Sequence, residues 1–386
     1  MARIYLDHNA STPVRPEVLE AMQPYFLGHY GNASSAHAFG QEAKGAMEEA
    51  RAKVAAFLNA TPGEIVFTSG GTESDNMGVI GAARALKDKG RHVVTTGIEH
   101  DAVRHAADLL EHEGFDVTRV PAGPDGRVTP QAIEAAITPQ TILVTVMAAN
   151  NETGVIQPMA EIGAVCAAKG IAFHSDAVQA AGKIPIDVAA WQTTLLTITA
   201  HKFYGPKGAG ALYIKRGFRP APLQVGGEHE RGRRAGTENV PAIVGLGHAC
   251  ELAAEDLNAT AKRVAALRDK LEAGIEATIA QVVRHGAEAP RVCNTAHVSF
   301  VGAEGEHLIL TLDMKGVAVS SGAACKAGSS HPSHVLLAMG VPAGVAQSAV
   351  RFSLGRSTTD AEIDRVLEVL PAAVEKLRQG TSTIAS

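Results

Sequence analysis

"TITAHKFYGPKGAGALY", residues 197–213, closes an apolar, β-branched run, turns on glycine and proline, and leaves as a second apolar run. A run apolar at nearly every position is a strand buried on both faces, as in sheets covered by helices on each side. The same grammar recurs upstream. "EIVFTS" leads into "ESDNMGVIGAARALKDKG", "HVVTTG" into "DAVRHAADLLEHEG", "TILVTVM" into "MAEIGAVCAAKG", and "IAFHSDA" follows. Short strands alternating with amphipathic helices predict an α/β fold whose mostly parallel sheet is covered by helices on both faces. Right-handed crossovers put the strand C-terminal ends along one edge, where ligands bind.

The chain has 386 residues, 46% hydrophobic and 19% charged, which suffices for a large core and favours two domains. Residues 251–281 have long helical periodicity and few breakers, so they are expected to carry the chain between domains. Beyond them "TAHVSFVG", "VAVSSG" and "AVRFSLG" predict strands, and "DAEIDRVLEVLPAAVEKLRQ" a closing helix. The expected division is a large domain over 15–260, with 1–14 and 261–386 forming a smaller α+β domain. A net charge of -5 gives no reason to expect nucleic acid or an anionic membrane as partner. No apolar run is long enough to span a bilayer, and "MARIYLDHNASTP" lacks the apolar core of a signal peptide. Four cysteines without a CxxC pair predict a reducing, cytoplasmic setting.

Three strand ends carry candidate chemistry. "FTSGGTESDN" offers Gly70, Gly71 and Thr72 at a helix start, a generic phosphate cup that an ordinary capped turn would also resemble. "FHSDAVQAAGK" ends a strand on Asp176, with Gln179 beyond it. A carboxylate at a buried edge either caps a helix or needs a positive partner. Thr199, His201 and Lys202 follow the strand quoted first; a desolvated Lys202 would free an amine for Schiff-base chemistry, and a solvated one would not. Cup, aspartate and lysine in one chain are the parts that pyridoxal 5'-phosphate requires. Metal binding is not expected, because neither Cys325, His331 and His334 nor His100, His105 and His112 has a zinc-ligand spacing.

From "YLDHNASTPVRPEVLEAM" through "GNASSAHAFG", "GGTESDN", "EHDAV", "NNETGVIQP", "DAVQAAGKIPID", "HKFYGPKGAGALY", "ERGRRAGTEN", "VSSGAAC" and "RFSLGR", the chain resembles the cysteine desulfurases. These are fold-type I pyridoxal-phosphate enzymes that supply sulfur for iron–sulfur and nitrogenase clusters. The resemblance implies that Lys202 carries the cofactor, Asp176 pairs with its ring nitrogen, and Gln179 and Asn151 reach its phenolic oxygen. It implies that His100 stacks on the ring and exchanges protons with the substrate. Gly71, Thr72, Thr199 and His201 would hold the phosphate, with Thr237 reaching that of the other subunit of a homodimer. Arg351, helped by Asn32, would bind the substrate carboxylate. Cys325 would take the sulfur of L-cysteine as a persulfide, leave alanine, and pass the sulfur to an acceptor or iron–sulfur scaffold protein. One accessible thiol among small neighbours suits that task. Alanine and lysine flank Cys325 where the family commonly has serine and threonine, and Lys326 either favours the thiolate or is simply solvated. "GGEHERGRRAGTEN" leans toward the nitrogenase-associated branch. A selenocysteine lyase or an aminotransferase on the same fold is the nearest rival. A non-enzymatic sulfur-acceptor scaffold is disfavoured by the presence of Lys202, Asp176 and Cys325.

Overall fold

The computed structural model describes residues 3–321 and 332–384, the side chains of 380–384 excepted. Its strands are β1 (Ile4–Tyr5), β2 (Ile65–Thr68), β3 (His92–Thr96), β4 (Asp116–Val120), β5 (Thr141–Thr145), β6 (Ala172–Asp176), β7 (Leu195–Thr199), β8 (Gly210–Ile214), β9 (Val282–Arg284), β10 (Thr295–Phe300), β11 (Val317–Ala318) and β12 (Ala349–Ser353). The large sheet has the order β2-β8-β7-β6-β5-β3-β4. Only β8 runs against the others, pairing antiparallel with both β2 and β7. Strands β3, β5, β6, β7 and β8 are buried at every position, which is why they read as unbroken apolar runs. The C-terminal ends of β2, β3, β5, β6 and β7 therefore share one edge.

A second, antiparallel sheet of order β12-β10-β9 and the parallel pair β1–β11 lie in the remainder of the chain. The large sheet has an apolar cluster on each face, Val94 and Leu196 belonging to one and Val93 and Leu195 to the other, and a third cluster serves the remainder. Phe173 and Leu246 also belong to the first, and Leu6, Leu271, Phe300, Phe352 and Leu370 to the third. Val335, Leu336 and Met339 pack back into the first.

One helix serves both the first and the third cluster. It spans Val240–Thr278, 39 residues, capped by the Asn239 side chain on the Ala242 amide and with proline in its first turn. The sequence suggested a start at 251; the structure starts it at Val240, because Gly245 and Gly247 are contact points and not breakers. A Cβ at Gly247 would lie 2.7 Å from Ala50 Cα, so the missing side chain lets this helix pack on helix Ala38–Phe57. Buried residues face the large sheet up to Cys250, none is buried from Glu251 to Arg263, and from Val264 onward the helix faces the third cluster. Among the described residues no helix is long and apolar enough to cross a membrane.

Gly247→Leu forces a branched side chain into that contact. We expect a loss of about 1–3 kcal/mol in unfolding free energy, the usual cost of overpacking. Denaturant unfolding checks it, and an unchanged midpoint would mean that the two helices separate freely.

Candidate active site at the strand edge

Asp176 is the last residue of β6 and is buried. Its Oδ1 accepts from the Val178 amide at 2.9 Å. Burial raises its pKa above the ordinary carboxylate range, while His100, the Val178 N–H and Lys202 pull it down. Two more carboxyls lie buried beside it. Asp75 is raised well above the usual range by burial first and then by the charge of Asp176. Glu99 is pushed up to about 8 by burial, although Thr96 Oγ1 and the Met147 amide both donate to its Oε1.

Lys202 closes the short turn Ala200–Lys202 after β7, and its Nζ donates to the carbonyls of Asn9 (2.7 Å) and Ala10 (2.8 Å). Gln179 Nε2 donates to the same Asn9 carbonyl at 3.0 Å. Asn9 itself ties the strand edge to the second sheet, its Nδ2 donating to Asn151 O and to Thr295 Oγ1. Sequence reasoning assigned Asn9 no role. The signal was the polar run "DHN" directly after a strand, read only as part of the family resemblance.

His100 caps helix Asp101–His112, its Nδ1 accepting from the Ala102 amide at 3.1 Å. In the neutral ring the proton is then on Nε2. His201 Nδ1 lies 3.3 Å from Ser11 Oγ, and burial, helped by Lys202 and Lys207, lowers its pKa to about 4. Thr199 Oγ1 donates to the Ala209 carbonyl at 3.0 Å. The glycine turn sits against these strand ends: a Cβ at Gly71 would meet Val178 Cγ2 at 3.1 Å and Thr199 Cγ2 at 3.7 Å. Gly210 allows the turn to come that close, since a Cβ there would be 2.7 Å from Gly70 Cα. Thr72 is exposed on the next residue and lines a cleft with Arg233 and Arg234. Thr237 is also exposed, in the segment between Arg234 and the long helix.

Arg351 reaches the edge from β12 and is 2% exposed. Its Nη1 donates to Asn151 O (2.9 Å) and its Nη2 to Asp7 Oδ1 (2.8 Å), while its buried Nε has no partner among the described residues. The buried Asn151 Oδ1 likewise has none among the described residues. Asn32 is not brought into this group by any hydrogen bond; it is exposed and its Oδ1 accepts from the Ser34 amide and hydroxyl. Cys325 and Lys326 lie outside the described residues. The chain on either side is tied to the edge, because Ser320 exchanges two backbone hydrogen bonds with Arg351 and Ser333 Oγ donates to Glu152 Oε2 at 2.5 Å. Of the other thiols, Cys166 and Cys250 are buried and Cys293 half-buried. Burial raises the pKa of all three, that of Cys166 to about 12.

The aminotransferase class-V family matches residues 4–366. A cysteine desulfurase IscS of Clostridium botulinum (strain Hall) is 49% identical over 379 residues, covering 98% of this chain and 96% of its own. The IscS of Anaeromyxobacter dehalogenans is 50% identical, covering 97% and 93%. Among solved structures, a NifS-like protein has a TM-score of 0.91 at 39% identity, covering 97% of this chain and all of its own (100%). SspA, solved in complex with cysteine, has a TM-score of 0.82 at 36% identity, covering 92% and 100%. Strand order, strand-edge chemistry and near-complete coverage agree: the chain belongs to the aminotransferase class-V family, among the cysteine desulfurases.

Proposed function

We propose that this chain converts L-cysteine to L-alanine with pyridoxal 5'-phosphate on Lys202, and passes the sulfur through Cys325 to iron–sulfur cluster assembly. The observation that carries it is the gathering of Lys202, Asp176, Gln179, His100 and Arg351 at one strand edge, in a chain half-identical to named cysteine desulfurases. The solved relative that holds cysteine supports the substrate.

The residues present fit the cofactor. Asn151 Oδ1 is a buried polar atom without a partner among the described residues, and the Gly70–Gly71 turn has no Cβ to fill the cup beside Thr199. Lys202 would hold the group, Asp176 its ring nitrogen, Gln179 and Asn151 its phenolic oxygen, His100 its face. Gly71, Thr72, Thr199 and His201 would hold its phosphate. When bound, the group supplies a sink for the electrons left by α-proton removal.

The chain's own residues do the rest. Asp176, with His100 and Lys202 favouring its charged form, would keep a proton on the ring nitrogen, while burial holds Asp75 and Glu99 toward their neutral forms. The Lys202 amine leaves the carbonyls of Asn9 and Ala10 to take and return the α-proton. His201, neutral at pH 7, offers a hydrogen bond without adding charge. Arg351, pre-oriented by Asp7 and Asn151 O, has its Nε left for a substrate carboxylate, which Asn32 would assist. The Cys325 thiolate forms the S–S bond as the substrate C–S bond breaks, and the bonding pair stays on carbon. The high pKa values of Cys166, Cys250 and Cys293 leave them poor rivals for that attack.

We read 15–260 as the unit bearing the cofactor, and 1–14 with 261–386 as the unit bringing Arg351 and Cys325 to it; the first and third apolar clusters support this. A homodimer accords with the exposed Phe26, Leu27, Tyr30, Phe39 and Val225, and would give Thr237 a phosphate on the other subunit. A cytoplasmic setting accords with thiols that are free among the described residues. Nitrogenase is the destination favoured by "GGEHERGRRAGTEN".

Lys202→Ala should lose the borohydride-reducible adduct while circular dichroism is unchanged; an adduct surviving elsewhere would reassign the lysine. Asp176→Asn should retain cofactor but slow deuterium exchange at the α-carbon of L-alanine about 100-fold or more, since the neutral amide no longer stabilises the ring charge. Wild-type exchange would remove Asp176 from this role. Cys325→Ala should keep α-proton exchange yet release alanine from cysteine only at background. Labelled cysteine followed by peptide mass spectrometry should put the persulfide on Cys325, and label on Cys166, Cys250 or Cys293 would refute the assignment.

A further inference from the structure

Lys183 follows Gln179 by one helical turn and is 9% exposed. Its Nζ donates to Gln179 Oε1 at 2.6 Å and lies 3.5 Å from Asn9 Oδ1. Among the described residues no carboxylate lies within ion-pairing distance of it. The titratable groups that face it are Lys202, Arg351, His8 and Cys293, and two of these carry fixed or usual positive charge. An amine buried among cations is costly, and a methionine would fill the same space more cheaply. Its position is informative, because a glutamine amide can be turned either way round. With donors on Lys183, Gln179 must present Oε1 to the lysine and Nε2 to Asn9 O, the acceptor it shares with Lys202.

We propose that Lys183 is a positioning residue for the cofactor: it holds Gln179 so that an N–H, and not a carbonyl, faces the group on Lys202, and its charge acts on Lys202 through the short chain Lys183–Gln179–Asn9–Lys202. This rests on the cofactor reading above. An N–H given to the phenolic oxygen favours the ionised oxygen, and a nearby positive charge disfavours a second one; both lower the proton affinity of the Lys202 adduct. Burial pushes the Lys183 amine down to about 7; Cys293 opposes this, and Lys202 and Arg351 add to it. The amine therefore changes charge near neutral pH. Its influence on Lys202 is full below that value and fades above it.

The test compares wild type with Lys183→Met and Lys183→Gln. In the holoenzyme without cysteine, the pH titration of the adduct's visible absorption band is read. In the cofactor-free protein, the pH dependence of Lys202 acylation by acetic anhydride is read by peptide mass spectrometry. Lys183→Met should raise the midpoint of the absorption titration by about one pH unit, a tenfold change in proton affinity, and move the acylation midpoint upward as well. Lys183→Gln keeps an N–H but no charge and should fall between; it also replaces the Met variant if that one does not fold. Midpoints unmoved in both variants, with only a lower melting temperature, would make Lys183 a packing residue and overturn the proposal. If wild type binds no cofactor, the cofactor reading fails on its own, while the acylation midpoints still decide the coupling of Lys183 to Lys202.

Discussion

The main-chain carbonyl of Asn9 accepts from both Lys202 and Gln179, and the side chain of the same residue reaches Asn151 and Thr295. A carbonyl oxygen has two lone pairs, and here both are spent on the strand edge. Because the Asn9 amide donates to Ser353 Oγ of β12 and its side chain to Thr295 Oγ1 of β10, the N-terminal segment connects the second sheet to the lysine. Asp7, two residues earlier, holds Arg351. The amine and the guanidinium thus owe their relative placement to one short polar segment, although neither lies near it in sequence.

Burial sorts the charges at this edge. Three carboxyls, Asp75, Glu99 and Asp176, share low-dielectric surroundings, and like charges there cannot all ionise. Burial raises all three; His100, the Val178 amide and Lys202 oppose the rise at Asp176, Thr197 at Asp75, and Thr96 with the Met147 amide at Glu99, while the Asp176 charge adds to the rise at the other two. His174, which lies 3.7 Å from Asp75, is itself lowered to about 3 by burial and brings no cation to it. Of the three, only Asp176 has the basic side chains His100 and Lys202 acting on it to favour its charged form.

Asp176, Thr199 and Lys202 were legible in the sequence because polar residues closing unbroken apolar runs have a direct meaning in a parallel sheet. The sheet itself was legible for the same reason. Asn9 was not, since its contacts lie 142 or more residues away along the chain and leave no periodic trace. The long helix begins eleven residues before the periodic stretch from 251, where glycine lowers helix propensity but close approach of Gly245 to Met22 and of Gly247 to Ala50 decides. The sequence assigned Lys183 no role; only its burial beside Gln179 gives it meaning. The family resemblance gave Arg351 a substrate carboxylate to bind; its engagement by Asp7 was not expected, because a sequence does not say which acid a buried arginine meets.

The helix Val240–Thr278 is about 58 Å long at the usual rise per residue. It is seated in one apolar cluster up to Cys250 and in another from Val264. Between those seatings it behaves as a lever arm. A tilt of about 3° at one seating, over some 20 Å, shifts the far end by about 1 Å. Because one helix is seated in both clusters, its straightness adds a second tie between the large sheet and the second sheet, beside the one that the N-terminal segment makes.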